Sequence, residues 1–475
     1  MLAGMQPPAA SRSVAFIAGA AVLVLVASAH RYGYHRDELY FLAIGQHPSW
    51  GYVDQPPLVP LLAAAMDRLG NGSLTVLRLP SALAIGGVVV LAAKMAREFG
   101  GGKGAQLLAA LATAASAFPI AVGHLVSTST YDLLWWTLLS WLLVRALRDG
   151  GRAWLWIGLG AGIALQTKPL VLLFLGGVLL SLIGHPALRS RWPWFAALIA
   201  LTIWMPNLIW QIQHDLPVLE MSRALSGGSS ATSEPRWLIL PFQFVLAVPI
   251  WTLGLWHLWR DPQMKPWRRL ALAYVLALLV VLIVGGKPYY VAGFFPLLLA
   301  AAATWTAGRP TQTRRSVVAV VAGFAVVGVV LFLPVLPARW LPHTPIPAIN
   351  TDAAETIGWP RFVATIGDAY QRSGADVVIA NNYGEAGAMA HYRSDIPTVS
   401  PHNSLYDDGP PAPSAELAVM VGFDEADLTF CDSLVVTDVI DNGIDLDNEE
   451  QGEAVWLCRT TAYWTSVWPA LRRIG

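Results

Sequence analysis

The chain has 475 residues, 55% of them hydrophobic and only 13% charged, and its mean hydropathy is +0.50. That balance excludes an ordinary string of soluble domains and describes a polytopic membrane protein. The zero net charge conceals a split: residues 1–336 carry 24 Lys+Arg against 11 Asp+Glu, and 337–475 carry 7 against 20, so the acidic tail offers no basic surface for nucleic acid.

In chain order, Arg12, the run VAFIAGAAVLVLVASA and the small residues Ala27-Ser28-Ala29 have the layout of a cleavable signal peptide. The same apolar signal recurs downstream, which favours a retained first helix. An outer loop, 30–79, follows, and within it RDELYFLAIG has the composition of a short helix on the membrane surface. Eleven apolar segments, centred near residues 22, 88, 113, 138, 160, 176, 200, 247, 278, 297 and 326, are about long enough to cross ~30 Å of hydrocarbon. The pairs 105–122 with 131–148 and 154–166 with 169–184 are short enough for hairpins to replace full spans.

With a cytoplasmic N-terminus and strict alternation, 16 Lys+Arg of this region fall inside and 8 outside. The bias obeys the positive-inside rule and turns the first loop and the tail outward. LSGGSSATSEP at 225–235 is a low-complexity connection. The tail begins in the Pro-rich LPVLPARWLPHTPIPAIN and then changes character. WPRFVATIGDAYQRSG reads as an amphipathic helix, ADVVIA as a buried strand, GEAGAMAHYR as a helix, and DSLVVTDV and EAVWLCRTT as strands. The expected organisation is a transmembrane catalytic domain, 1–336, and a small extracytoplasmic α/β domain, 337–475. Cys431 and Cys458, the two cysteines of the chain, both lie in the tail, as a disulfide or as two separate buried thiols.

Chemistry concentrates on the outer side. In the helix RDELYFLAIG, Asp37, Tyr40 and Phe41 share one face, and Glu38 points about 100° away, so one carboxylate can address a site while its neighbour contacts the supporting shell. On the same side the topology puts Asp54 and Gln55 in GYVDQPP, Asp132 at the outer end of the fourth span, Lys168 in LQTKPL and Lys287 in GGKPYY. Ionisable groups at membrane depth are expensive and usually face partners or a wet cavity. Two lysines with Tyr289 and Tyr290 suit a phosphate; each lysine alone is equally a helix-end cation snorkelling to the interface. An acid such as Asp37 suits proton removal from an attacking hydroxyl. The bland counterpart is a solvated outer loop in which acids mean nothing. The Gly-rich GGVVVLAAKMAREFGGGKG lacks P-loop spacing, and the histidines are too scattered for a single His/Cys metal cluster.

The acidic first loop RDELYFLAIGQHPSWGYVDQPPL, an Asp opening a later span, KP after a helix and KPYYVAGFFPLLLA together resemble glycosyltransferase family 39 over residues 14–310. That group includes protein O-mannosyltransferases and is related to aminoarabinose-lipid A transferase. NNYGEAGAMAHY looks like a segment of its bacterial members. The resemblance implies a GT-C fold and a polyprenyl-phosphate sugar donor in the outer leaflet. It implies Asp37 as general base, with Glu38 its acidic neighbour and Asp132 a second core acid. Lys287 would be the donor-phosphate contact, and Lys168, Tyr289 and Tyr290 are expected beside it, with Tyr40, Asp54 and Gln55 toward substrate. A divalent ion between Asp37, Glu38 or Asp132 and the donor phosphate is left open. One departure stands out: aminoarabinose transferases have Lys before the Pro near the end of the first loop, where this chain has Asp54-Gln55-Pro56-Pro57, so phosphate binding must rest on other cations. The acceptor, whether lipid, glycan or protein, is unspecified. A transporter or flippase of a lipid-linked or polar substrate is the rival class, and a receptor with an exported sensor domain is third.

Overall fold

The computed structural model describes residues 7–226 and 236–475; from residue 227 onward the low-complexity stretch lies outside the described residues. The chain divides into two compact units. Met1–Ala29, Arg78–Asp215 and Leu225–Leu333 form the first; His30–Leu77, Leu216–Ala224 and Pro334–Gly475 form the second.

The first unit is helical. Among the described residues six helices are long and apolar enough to cross a membrane: Ser11–Ser28, Leu74–Glu98, Trp192–Gln213, Pro262–Val284, Pro288–Ala307 and Thr311–Phe332. Lys103–Ala114 with Ala117–Gly123, bent by 57°, and Arg236–Leu246 with Trp251–Arg260, bent by 97°, raise the number to eight if each pair is one span. All eleven expected segments are helical or largely so, but eleven spans are not reached on length and apolarity. Ala153–Leu165 and Val171–Ser181 are shorter apolar helices; 13 residues rise only about 20 Å. Thr128–Asp149 is long enough but carries Asp132, Arg145, Arg148 and Asp149.

Local chemistry accounts for the bends and the tight packing. Pro249, inside the 97° break, has no N–H to donate, and the amide of Val248 beside it donates to Ser116 Oγ at 3.2 Å. A Cβ on Gly254 would stand 1.8 Å from the carbonyl oxygen of Leu298, and one on Gly158 2.4 Å from that of Ala196. Small residues let backbones meet where lipid supplies no hydrophobic push between helices. The run Leu297–Ala303 is wholly buried, and Trp136 closes the core against Phe174 and Phe294, ring centres 5.1 and 5.4 Å away.

The second unit combines the first loop with the tail. The loop supplies α1 (Arg36–Gly45) and α2 (Leu58–Gly70); the tail supplies α3 (Trp359–Ser373), α4 (Tyr383–Tyr392) and α5 (Trp464–Leu471). Five strands, β1 (Val377–Ala380), β2 (Thr398–Val399), β3 (Leu417–Val421), β4 (Ser433–Val439) and β5 (Ala454–Arg459), form one sheet in the order β2-β1-β3-β5-β4. β1 is parallel to β2 and β3, and β5 is antiparallel to β3 and β4. A parallel strand inside a sheet is covered on both faces, and all four residues of β1 are buried. α3 turns Trp359, Phe362, Val363 and Ile366 inward at helical spacing. Trp464 and Trp468 of α5 share a core with Ile379, Met420 and Cys458. Cys431 and Cys458 are disulfide-bonded, Cα–Cα 5.5 Å. Arg31 Nη1 and the Tyr32 hydroxyl donate to the carbonyls of Val335 and Leu336 at 3.1 and 3.0 Å, tying the loop to the linker.

Candidate active site

In the second unit the site grows from two helix N-termini. His35 caps α1: its Nδ1 accepts the Asp37 amide at 3.2 Å, and Glu38 Oε2 accepts the His35 amide at 2.8 Å. This is a reciprocal capping box. It buries Glu38 completely and leaves the Asp37 carboxylate as the partly exposed acid of the first turn. Asn382 caps α4 in the same manner, its Oδ1 accepting the Gly384 amide at 2.7 Å and Glu385 Oε2 accepting the Asn382 amide at 3.0 Å. The two helices then meet through small residues. A Cβ on Gly384 would lie 2.8 Å from Arg36 Cβ, and one on Gly387 2.7 Å from the Leu39 carbonyl carbon. The spacing of three residues on one helix thus meets the same spacing on the other. As a result Tyr383, the first residue of α4, donates its hydroxyl to Asp37 Oδ1 at 2.9 Å.

Around this pair Arg36 is buried, with Nη1 3.5 Å from Glu355 Oε1, Nη2 2.5 Å from Glu449 Oε2, and its guanidinium carbon 5.4 Å from the Tyr383 ring centre. The Tyr40 ring packs 4.8 Å from that of Tyr383. Its hydroxyl donates to Asp54 Oδ1 at 2.6 Å and accepts the Ser404 amide at 3.3 Å. Burial pushes the Asp54 carboxyl up to about 6, against the pull of the Tyr40 hydrogen bond, and the charge of Asp37 adds to the rise. Gln55 is buried beside it, its carbonyl accepting the Tyr52 amide at 2.9 Å.

One trio among the described residues has metal-ligand spacing: a ring nitrogen of His35 and carboxylate oxygens of Asp352 and Glu355 lie within 4.8 Å of one another. In the neutral ring the hydrogen bond accepted by Nδ1 puts the proton on Nε2, which faces Glu355 Oε2 at 3.1 Å, and Arg36 also reaches Glu355. Burial alone would raise Glu355, but the hydrogen bond and charge of His35, then Arg36, hold it down to about 2. The His35 ring is raised to about 9 against its own burial, by Glu355, Asp37 and Asp352, and a second proton there competes with the Asp37 amide for Nδ1. The trio is therefore closed by protons and a guanidinium as an ion-paired clasp, and a divalent ion would have to displace both.

In the first unit Asp132 is buried and accepts the Trp136 indole N–H at 2.8 Å. Lys168 Nζ donates to Ser129 Oγ at 2.9 Å and stands 5.6 Å from the Tyr289 ring centre. Tyr289 stacks on Phe118 at 5.7 Å and meets Tyr290 edge-on at 5.3 Å. Lys287 is the N-cap of the 3-10 turn Pro288–Phe294, its side chain half-buried. The first unit thus gathers Lys168, Tyr289 and Tyr290, with Lys287 two residues before Tyr289. The second unit gathers Asp37, Tyr40 and Asp54.

Sequence reasoning missed Tyr383, Arg36, Glu355 and Ser404 as neighbours of the acids. The signal for Tyr383 was present: Asn382 with Glu385 is an N-cap pattern, and Gly384 with Gly387 marks a helix face made for close approach.

A family model described as Dolichyl-phosphate-mannose-protein mannosyltransferase matches residues 54–210. Lipid A galacturonosyltransferase RgtD of Rhizobium johnstonii is 28% identical over 186 residues, which is 38% of this chain and 38% of that protein. The chain therefore matches well under half the length of this curated relative. ArnT from Cupriavidus metallidurans in the apo state superposes with a TM-score of 0.64 at 14% identity, covering 94% of this chain and 98% of that one. The same protein bound to undecaprenyl phosphate gives 0.58 at 15% identity, with the same coverage. The fold is that of the GT-C group, a helical membrane core with a small C-terminal sheet, and the likeness to glycosyltransferase family 39 seen in the sequence recurs in the family model and the curated relative.

Proposed function

We propose that the chain is an integral-membrane glycosyltransferase that moves a sugar from a polyprenyl-phosphate carrier to an acceptor on the outer face of the membrane. The observation that carries this reading is the ArnT-like fold over 94% of the chain, in a neighbour whose second structure is described as bound to undecaprenyl phosphate. The family model over 54–210 and the galacturonosyltransferase relative support the same chemistry.

In this reaction an acceptor hydroxyl or amine attacks the anomeric carbon. The new bond forms there as the bond from carbon to phosphate oxygen breaks, and the electron pair leaves with the lipid phosphate. Asp37 takes the acceptor's proton; its carboxylate is the partly exposed one, while Glu38 serves the helix cap. Within the first unit, Lys168 and Lys287, with the hydroxyls of Tyr289 and Tyr290, are the groups suited to donate to a phosphate. A lipid phosphate is already a good leaving group, so positioning and charge stabilisation are the main tasks of the protein.

The test uses purified full-length protein and Asp37→Asn in detergent, radiolabelled polyprenyl-phosphate sugars and a membrane extract as acceptor. Transfer by the wild type, lost in Asp37→Asn while donor binding persists, is the expected result. If neither protein binds any lipid-linked sugar, the transferase reading fails and the transporter class takes its place.

A further inference from the structure

The three parallel strands of the second unit run in the order β2-β1-β3. In open α/β sheets with that order, ligands collect outside the carboxyl ends of β1 and β3, where successive connections leave in opposite directions. Here those ends are Asn381-Asn382-Tyr383 after β1 and Gly422 after β3, and the place is already built up from within the unit. The Asn381 amide donates to the Val421 carbonyl at 3.0 Å, and the Asn381 side chain donates to that of Gly422. The Glu385 carboxylate lies so close to Gly422 that a Cβ there would meet it at 2.6 Å. Against this edge rests α1, with Arg36 and Leu39 on Gly384 and Gly387.

We infer that the tail is a working part of the catalytic apparatus, and that Tyr383 is a positioning residue that fixes the Asp37 carboxylate through its hydroxyl. The inference rests on the transferase reading for the task it assigns to Asp37, but the contact itself is independent of that reading. The phenol is well placed for it. Its ring is held by Tyr40 at 4.8 Å, His402 at 5.0 Å and the Arg36 guanidinium at 5.4 Å. Burial, and then the charge of Asp37, push the phenol well above its ordinary value, so it remains a donor. An oxygen accepting from Tyr383 has its direction set, which leaves the other oxygen to take the acceptor's proton. The contact joins residues 346 apart in sequence, so the motif NNYGEAGAMAHY gains a role beyond the packing of its glycines.

Tyr383→Phe keeps the ring and removes the hydroxyl alone, and the full-length protein carrying it is compared with wild type in two assays. In sugar transfer kcat falls about ten- to hundredfold with donor KM unchanged, the pattern of a mispositioned base. In hydrogen–deuterium exchange the amides of α1 exchange roughly ten- to hundredfold faster, the loss of one hydrogen bond to a charged group in a local opening. Unchanged α1 exchange, or unchanged kcat in an active protein, overturns the positioning role. A wild type that transfers no sugar while Tyr383→Phe still loosens α1 removes the transferase reading and leaves the Tyr383–Asp37 contact standing.

Discussion

Gly387→Ala sets two opposed effects against each other, and the structure decides between them. In the interior of a helix alanine is better than glycine by about 1 kcal/mol, so on propensity alone the variant is more stable. Its Cβ, however, would sit 2.7 Å from the Leu39 carbonyl carbon, 2.8 Å from the carbonyl oxygen and 3.0 Å from Leu39 Cβ. Carbon atoms in favourable contact stand at about 3.5–4.0 Å. The atoms in the way are mostly backbone of α1, so no flexible side chain can swing aside and the two helices must part by several tenths of an ångström. Overpacking of this kind costs about 1–3 kcal/mol, and the rigid neighbour puts it in the upper part of that range. The expected net effect is a loss of about 1–2 kcal/mol, measured as thermal unfolding in detergent followed by tryptophan fluorescence. Gly323→Ala, with nothing within 4 Å of its new Cβ, is the control and leaves the transition unmoved or slightly raised. Because α1 carries Asp37, a displacement of this size also slows sugar transfer by about tenfold or more. A Gly387→Ala protein as stable as wild type would refute the close approach of α1 to α4, and with it the geometry that brings Tyr383 to Asp37.

Asp54→Asn is expected to stabilise the second unit at pH 7.5 and to change little at pH 4. The folded carboxyl, raised from 3.8 to about 6, contributes stability that is complete below its unfolded value and is lost as the pH rises through 6; a rise of that size is worth about 3 kcal/mol at most. Unfolding midpoints across that range give the comparison, and a variant equally shifted at both pH values would contradict it. Cys458→Ser opens a disulfide spanning 27 residues, for which loop closure predicts a loss of about 3.5 kcal/mol. Identical gel mobility with and without reductant, together with two titratable thiols, would show that the bond does not form.

The helix RDELYFLAIG was legible because its boundaries are written locally. Its composition, with Asp37, Tyr40 and Phe41 on one face at helical spacing, places it at 36–45, as the structure has it. α3, α4, β1, β4 and β5 were legible for the same reason. β3, LAVMV, is a short apolar run without alternation, and β2 is two residues long, so neither carries a period that a sequence can display. Apolar content and length diverge in places: Val171–Ser181, one of the eleven apolar segments, is a helix of only 11 residues, so length and apolarity alone do not confirm eleven spans.

Pairing is the larger gap, and it has a physical cause. Periodicity reports which face of an element is buried and is silent on what covers it, so nothing near residue 37 points to residue 383. Yet the split between Asp37 and Glu38 was open to local argument, since adjacent helical residues diverge by about 100°. The capping box turns that angle into a division of labour: Glu38 gives one oxygen to the His35 amide and is fully buried, and Asp37 stays partly exposed with Tyr383 on one oxygen. If the two acids instead shared the proton-transfer task, Glu38→Gln, which keeps an oxygen for the cap, would lose activity as deeply as Asp37→Asn. On the geometry here it retains most of it, because the amide oxygen can still accept from His35.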